Sequence, residues 1–129
     1  MSQSASQAAA FYREVAREKK LWTLIDDGGY PAPKTSSGKR SQPFWSSLKR
    51  VEKIIKTIDA YAGFTPQEVL LQKFFAEWLP DFKKEDMLIG VNWSGPRAVG
   101  YDIDPQSLFL HISHYLALDS KLPDPFARR

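Results

Sequence analysis

The sequence predicts an α+β fold: a single two-layer domain over residues 1–118, with a mostly antiparallel sheet and about four helices, and a C-terminal tail over 119–129. Three observations predict it. The chain has 129 residues, 43% hydrophobic and 26% charged, which suits one buried core and is too short for two ordinary domains. Apolar residues recur at three- and four-residue intervals in some segments and run or alternate in others, so helices and strands are interspersed. Ser94-Gly95-Pro96-Arg97 separates two apolar runs, the pattern of a strand–turn–strand unit.

A first helix is expected over 4–19, with Ser4 and Gln7 at capping-box spacing and Ala8, Phe11, Tyr12 and Val15 on one face. Residues 21–25 are apolar on both faces except at Thr23 and read as an interior strand, ended by the turn Asp26-Asp27-Gly28-Gly29. Residues 30–42 are rich in Pro, Ser, Lys and Gly, lack periodicity and read as a long loop. A short extended piece, Pro43-Phe44-Trp45, precedes a helix over 47–58 capped by Ser46 or Ser47. Leu48, Val51, Ile54, Ile55 and Ile58 form its apolar face, and Lys49, Lys53 and Lys56 a basic stripe. Residues 60–70 read as extended, with Pro66 indicating an edge or a bend. Phe74, Phe75, Trp78 and Leu79 mark a helix over 71–79 that Pro80 stops, followed by a short turn over 81–86. Strands over 87–93 and 98–103 make the hairpin, and a last helix runs from Pro105 to Leu118 with Asp104 as its cap.

Composition removes several chemistries. The absence of cysteine excludes thiol nucleophiles, cysteine-ligated zinc, iron–sulfur clusters and disulfides. Apolar runs are only a few residues long and Met1 to Ala5 has no signal-peptide character, so a cytoplasmic protein with no membrane contact is expected. The segment Ser36 to Ser41 fails as a phosphate-binding loop, because Pro33 stands where its first glycine belongs and Arg40 where its hydroxyl belongs. His111 and His114, three apart on the last helix, point in different directions and lack a third ligand. Asp26, Asp27, Asp102 and Asp104 are explained by turn and cap roles. No catalytic residue, metal or cofactor is expected.

Charge is uneven. Residues 34–56 carry seven basic side chains against one acid, Glu52, in a chain of net charge +3. A candidate binding surface follows: Lys39, Arg40, Lys49, Lys53 and Lys56 interleaved with Phe44 and Trp45, which offer either core packing or a stacking platform for single-stranded nucleic acid. On the last helix, Leu108, Ile112, Tyr115 and Leu116 form the face for the sheet to bury. Leu110, His114 and Leu118 form a second stripe, a candidate self-association surface unless the tail covers it.

Phe11-Tyr12, Trp22-Thr23-Leu24 with Asp26-Asp27-Gly28, Pro43-Phe44-Trp45-Ser46, Trp78-Leu79-Pro80 and Gly90-Val91-Asn92-Trp93 form one pattern. It resembles the uncharacterised bacterial domain of unknown function 2750 family, from about Phe11 to Leu110, with the aromatic-serine segment as its most specific part. The resemblance implies a small α+β domain from a bacterial cytoplasm and no established activity. The general pattern is also similar to small immunity-type proteins that neutralise toxins by binding. The chain therefore reads first as a non-catalytic protein-binding module, immunity-like or regulatory, whose partner is another protein or a second copy. Nucleic-acid binding through 34–56 is the alternative, and an enzyme with an unrecognised site the third reading.

Overall fold

Two leucines of the first strand, three residues apart, belong to different cores. Leu21 joins one buried cluster and Leu24 another, so the strand is covered on both faces. The computed structural model describes residues 2–121, with side chains to Asp119. In chain order the elements are α1 (Gln3–Glu18), β1 (Lys20–Ile25), β2 (Ser41–Phe44), α2 (Leu48–Thr57), a 3-10 turn (Asp59–Tyr61) and β3 (Thr65–Leu70). A helical run follows, made of α3 (Leu71–Lys73), a π segment (Phe74–Trp78) and α4 (Leu79–Lys84), and then β4 (Leu88–Ser94), β5 (Val99–Ile103) and α5 (Pro105–Lys121). These are the four helical bodies and interspersed strands of an α+β fold.

β1 and β3 pair antiparallel along their whole length, from Lys20 opposite Leu70 to Ile25 opposite Thr65. The other sheet has the order β2-β4-β5, with β4 and β5 antiparallel and β2 and β4 parallel. The parallel pair departs from the antiparallel majority for a topological reason. Between β2 and β4 the chain travels through α2, β3 and the helical run, the long crossover that a parallel pair requires. The two sheets meet at Trp22 and Trp45, whose backbones exchange hydrogen bonds of 2.8 and 2.7 Å. Beside them the Thr23 hydroxyl donates to the Pro43 carbonyl at 2.9 Å. β1 thus has β3 on one side and this junction on the other, which makes it an interior strand.

The helices divide between the faces. The larger cluster includes Phe11 and Val15 of α1, Leu21, Phe44, Phe74, Ile89, Val91 and, from α5, Leu108 and Ile112. The smaller gathers Leu24, Trp45, Trp93 and Ala98 beneath Val51 and Ile54 of α2. α2 therefore packs on one side of the strands, and α1 and α5 on the other.

Several local expectations change. Ser2, not Ser4, caps α1, accepting from the Ala5 amide at 3.1 Å, while Gln7 is drawn to Arg50. Pro80 does not stop its helix. The π segment before it lets the Leu79 amide donate to the Phe74 carbonyl, and a π turn leaves one carbonyl without a donor, which matches the donor that proline lacks. Leu48 lies in the first turn of α2 at the end of the apolar stripe and stays exposed. The 30–42 loop ends early, because β2 begins at Ser41, and the loop is tied: the Thr35 amide donates to the Lys39 carbonyl at 2.8 Å, the Ser41 amide to the Pro33 carbonyl at 3.0 Å, and the Arg40 guanidinium to the Ala32 carbonyl at 2.9 Å. Asp104 caps α5 as expected, accepting from the Ser107 amide at 3.0 Å. That helix continues to Lys121, past the expected end at Leu118, and 122–129 lie outside the described residues.

Candidate functional site

The junction of β2 and α2 builds the site. Ser47 caps α2 through the Arg50 amide at 3.2 Å, so the preceding Ser46 is free to serve a different partner. Its hydroxyl donates to Glu14 Oε1 at 2.6 Å, and its amide donates to Asn92 Oδ1 at 2.9 Å. Asn92 sits where the β4–β5 register shifts, at φ +50°, a left-handed conformation that asparagine tolerates better than most residues. From there its amide group donates to the Gln7 carbonyl at 3.2 Å and the Ser46 hydroxyl at 3.1 Å. Arg50 closes the clasp, reaching the Gln7 side chain at 2.8 Å and Glu14 Oε2 at 3.3 Å. Burial alone would raise the Glu14 carboxyl, but hydrogen bonds from Ser46 and Arg50 and the charges of Arg50 and Arg17 outweigh it and hold the pKa below its ordinary value.

Beside this clasp, a cleft of about 390 Å³ opens between α2 and the turn after β4. Trp45, Ile54, Ile58 and Trp93 give it an apolar lining, and Arg50 and Lys53 are the charged residues along it. Arg50 is already engaged by Glu14. Lys53, with Lys49 and Lys56 on the same exposed helix, makes no ion pair among the described residues.

The rest of the basic segment is dispersed. Lys39 pairs with Asp86 at 3.0 Å, and Arg40 is held by the 30–42 segment. Phe44 is fully buried against Phe74, Trp78 and Phe82, and Trp45 is buried with its indole N–H donating to the Trp93 carbonyl at 2.9 Å. Neither ring presents a face for stacking a base, because both are needed to fill the two cores. What the structure brings together is Lys53 with the cleft; Lys49 and Lys56 are exposed on the same helix without lining it. Sequence spacing missed Asn92, Trp93 and the 94–96 turn as cleft residues, since their approach to α2 depends on the β4 register shift. The Gly90-Val91-Asn92-Trp93 motif carried their only signal.

Asp26 has the expected turn role, accepting from the Gly28 amide at 2.8 Å. Asp102 does not: it lies within β5 and accepts from the Ser41 hydroxyl at 2.6 Å, a contact between strands and neither a turn nor a cap. His111 stacks on Tyr12 at 4.6 Å, and His114 meets the ring of Tyr115 edge-on. Burial, reinforced by Tyr101 and Tyr115 nearby, pushes the Tyr12 hydroxyl up to about 12. Among the described residues no group of three or more His, Asp or Glu side chains is placed to hold a metal, and no helix is long and apolar enough to cross a membrane. Leu110 and Leu118 are exposed on α5, on either side of the exposed His114.

No curated protein matches the chain. A family model described as Protein of unknown function (DUF2750) matches residues 8–112, and that span holds every described strand and, apart from Gln7, the residues of the clasp and the cleft. The chain belongs to the DUF2750 family.

Proposed function

We propose that the protein is a non-catalytic protein-binding module, immunity-like or regulatory, that receives an acidic segment of another protein across α2. One observation carries the reading: an apolar cleft whose charged lining residues are both cations, under a helix with three exposed lysines free of ion pairs among the described residues. Such a site suits an acidic segment that also inserts an apolar side chain, with charge steering the approach and the cleft supplying the anchor. The burial of Phe44 and Trp45 favours this over single-stranded nucleic acid, which would use the lysines but find no stacking face. The structural contacts of Asp26, Asp102 and Asp104 support a binding role over a catalytic one.

The test uses two fluorescent probes of matched charge, a peptide of alternating glutamate and phenylalanine and a single-stranded oligonucleotide. The peptide should bind, weaken as salt rises, and lose binding to the triple variant Lys49→Glu, Lys53→Glu, Lys56→Glu. Tighter binding of the oligonucleotide transfers the surface to nucleic acid. Binding of neither overturns the proposal.

A further inference from the structure

A surface helix ordinarily carries charge on the side facing water. α5 does not: from Pro105 to Leu118 it contains no Asp, Glu, Lys or Arg. Its inner face is buried through Leu108 and Ile112, with Tyr115 and Leu116 packed beside them. On the outer side Leu110 is 57% and Leu118 44% exposed, and no described residue covers them. Leu110, His114 and Leu118 are spaced four residues apart, so the leucines stand one helical turn to either side of the histidine. Tyr101 on the β5 edge, near the Tyr12 ring that stacks on His111, is also exposed.

We infer that α5 is a self-association face, and that its occupant is α5 of a second copy of this chain packed antiparallel about a two-fold axis at His114. Three arguments select a second copy. The stripe is self-complementary under that rotation, which sets Leu110 against Leu118 of the other copy and Leu118 against its Leu110. In a two-fold contact a face meets itself, so the basic 34–56 face of one copy would repel that of the other, while the uncharged α5 stripe meets its own copy without like-charge contact. An acidic partner is drawn instead to α2, on the other side of the strands, so the two surfaces do not compete. One helix face is smaller than the ~800 Å² per partner of stable complexes, which places the dimer at micromolar or weaker affinity.

Sedimentation equilibrium on the full chain, from tens to hundreds of micromolar, reads the association. The wild type should shift from monomer to dimer across that range. L110E and L118E both fall on exposed positions, so each should keep the wild-type circular dichroism while raising the dimer dissociation constant about tenfold or more. Mixing L110E with L118K should restore association, because the antiparallel register places each new charge beside its opposite. A wild type monomeric throughout overturns the proposal. So does a dimer that L110E and L118E leave unchanged. A dimer they weaken but the mixture does not rescue overturns the antiparallel register.

Discussion

Gly90 shows how closely single residues are matched here. A Cβ at this position would lie 2.3 Å from Cε2 and 2.4 Å from Nε1 of Trp93, so the indole rests directly on the glycine backbone. At Gly100, on the neighbouring strand, a Cβ would lie 3.0 Å from Cδ1 of the same ring, so a second glycine leaves room for it. The ring is itself buried and cannot swing clear, so the methyl group of Gly90→Ala must displace a packed side chain. We expect Gly90→Ala to cost about 1–3 kcal/mol in urea unfolding, the range for overpacking. In a Trp93→Leu background the same change should cost much less, because the ring atoms that meet the new methyl are gone. Equal costs in the two backgrounds would show that Gly90 is required for its backbone and not for the ring. Trp93 Nε1 is also the buried side-chain polar atom left without a partner among the described residues. The seat on two glycines gives the ring close packing, and the loss of that hydrogen bond is a cost borne with it.

Elements are held together by the Glu14 clasp more than by any one helix's own preference. α2 carries Ile54, Ile55 and Val51, β-branched residues that form helices reluctantly, and depends on Ser47 at its start and on packing below. Glu14 ties α1 to that start through Ser46 and Arg50. Its carboxyl has a lower pKa folded than unfolded, so its contribution to stability is full above the ordinary value of 4.5 and is lost as pH falls through the folded pKa. Glu14→Gln should therefore flatten the acid limb of stability below that pH and leave the neutral-to-basic dependence unchanged. Chemical denaturation at pH 7 and at pH 3 checks this, and parallel curves for the two proteins would refute it. Much at this scale was legible in the sequence: α2 with its serine cap, the hairpin, the Asp104 cap and the edge position of Pro66 all follow from local rules. The clasp was not, because its members stand 32 and 46 residues apart and only the fold brings them together. The passage of the helix through Pro80 was hidden for another reason. Proline is read as a breaker, and the π turn that admits it leaves no mark in the apolar spacing.

Over the whole molecule, sequence patterning identified the class but not the division of its core. The apolar run along β1 indicated burial on both faces, yet alternation cannot say which helix covers which side, nor that β2 lies parallel to β4. Those facts depend on where a long crossover returns. The outcome is two clusters joined by shared strands: β1 gives Leu21 to one and Leu24 to the other, and Phe44 and Trp45 divide in the same way across one peptide bond. Neither cluster can open without pulling backbone from the other, because Trp22 and Trp45 are hydrogen-bonded at the junction. Unfolding should therefore be a single event, and the tryptophans allow a direct check. Trp22, Trp45 and Trp93 belong to the smaller cluster, and Trp78 alone packs on the larger. In a Trp78→Phe variant, fluorescence reports on the smaller cluster only, while far-ultraviolet circular dichroism is dominated by α1, the 71–84 run and α5 on the larger. The two signals should share one urea midpoint. Separate midpoints would mean that the two clusters unfold independently and that the Trp22–Trp45 bridge does not couple them.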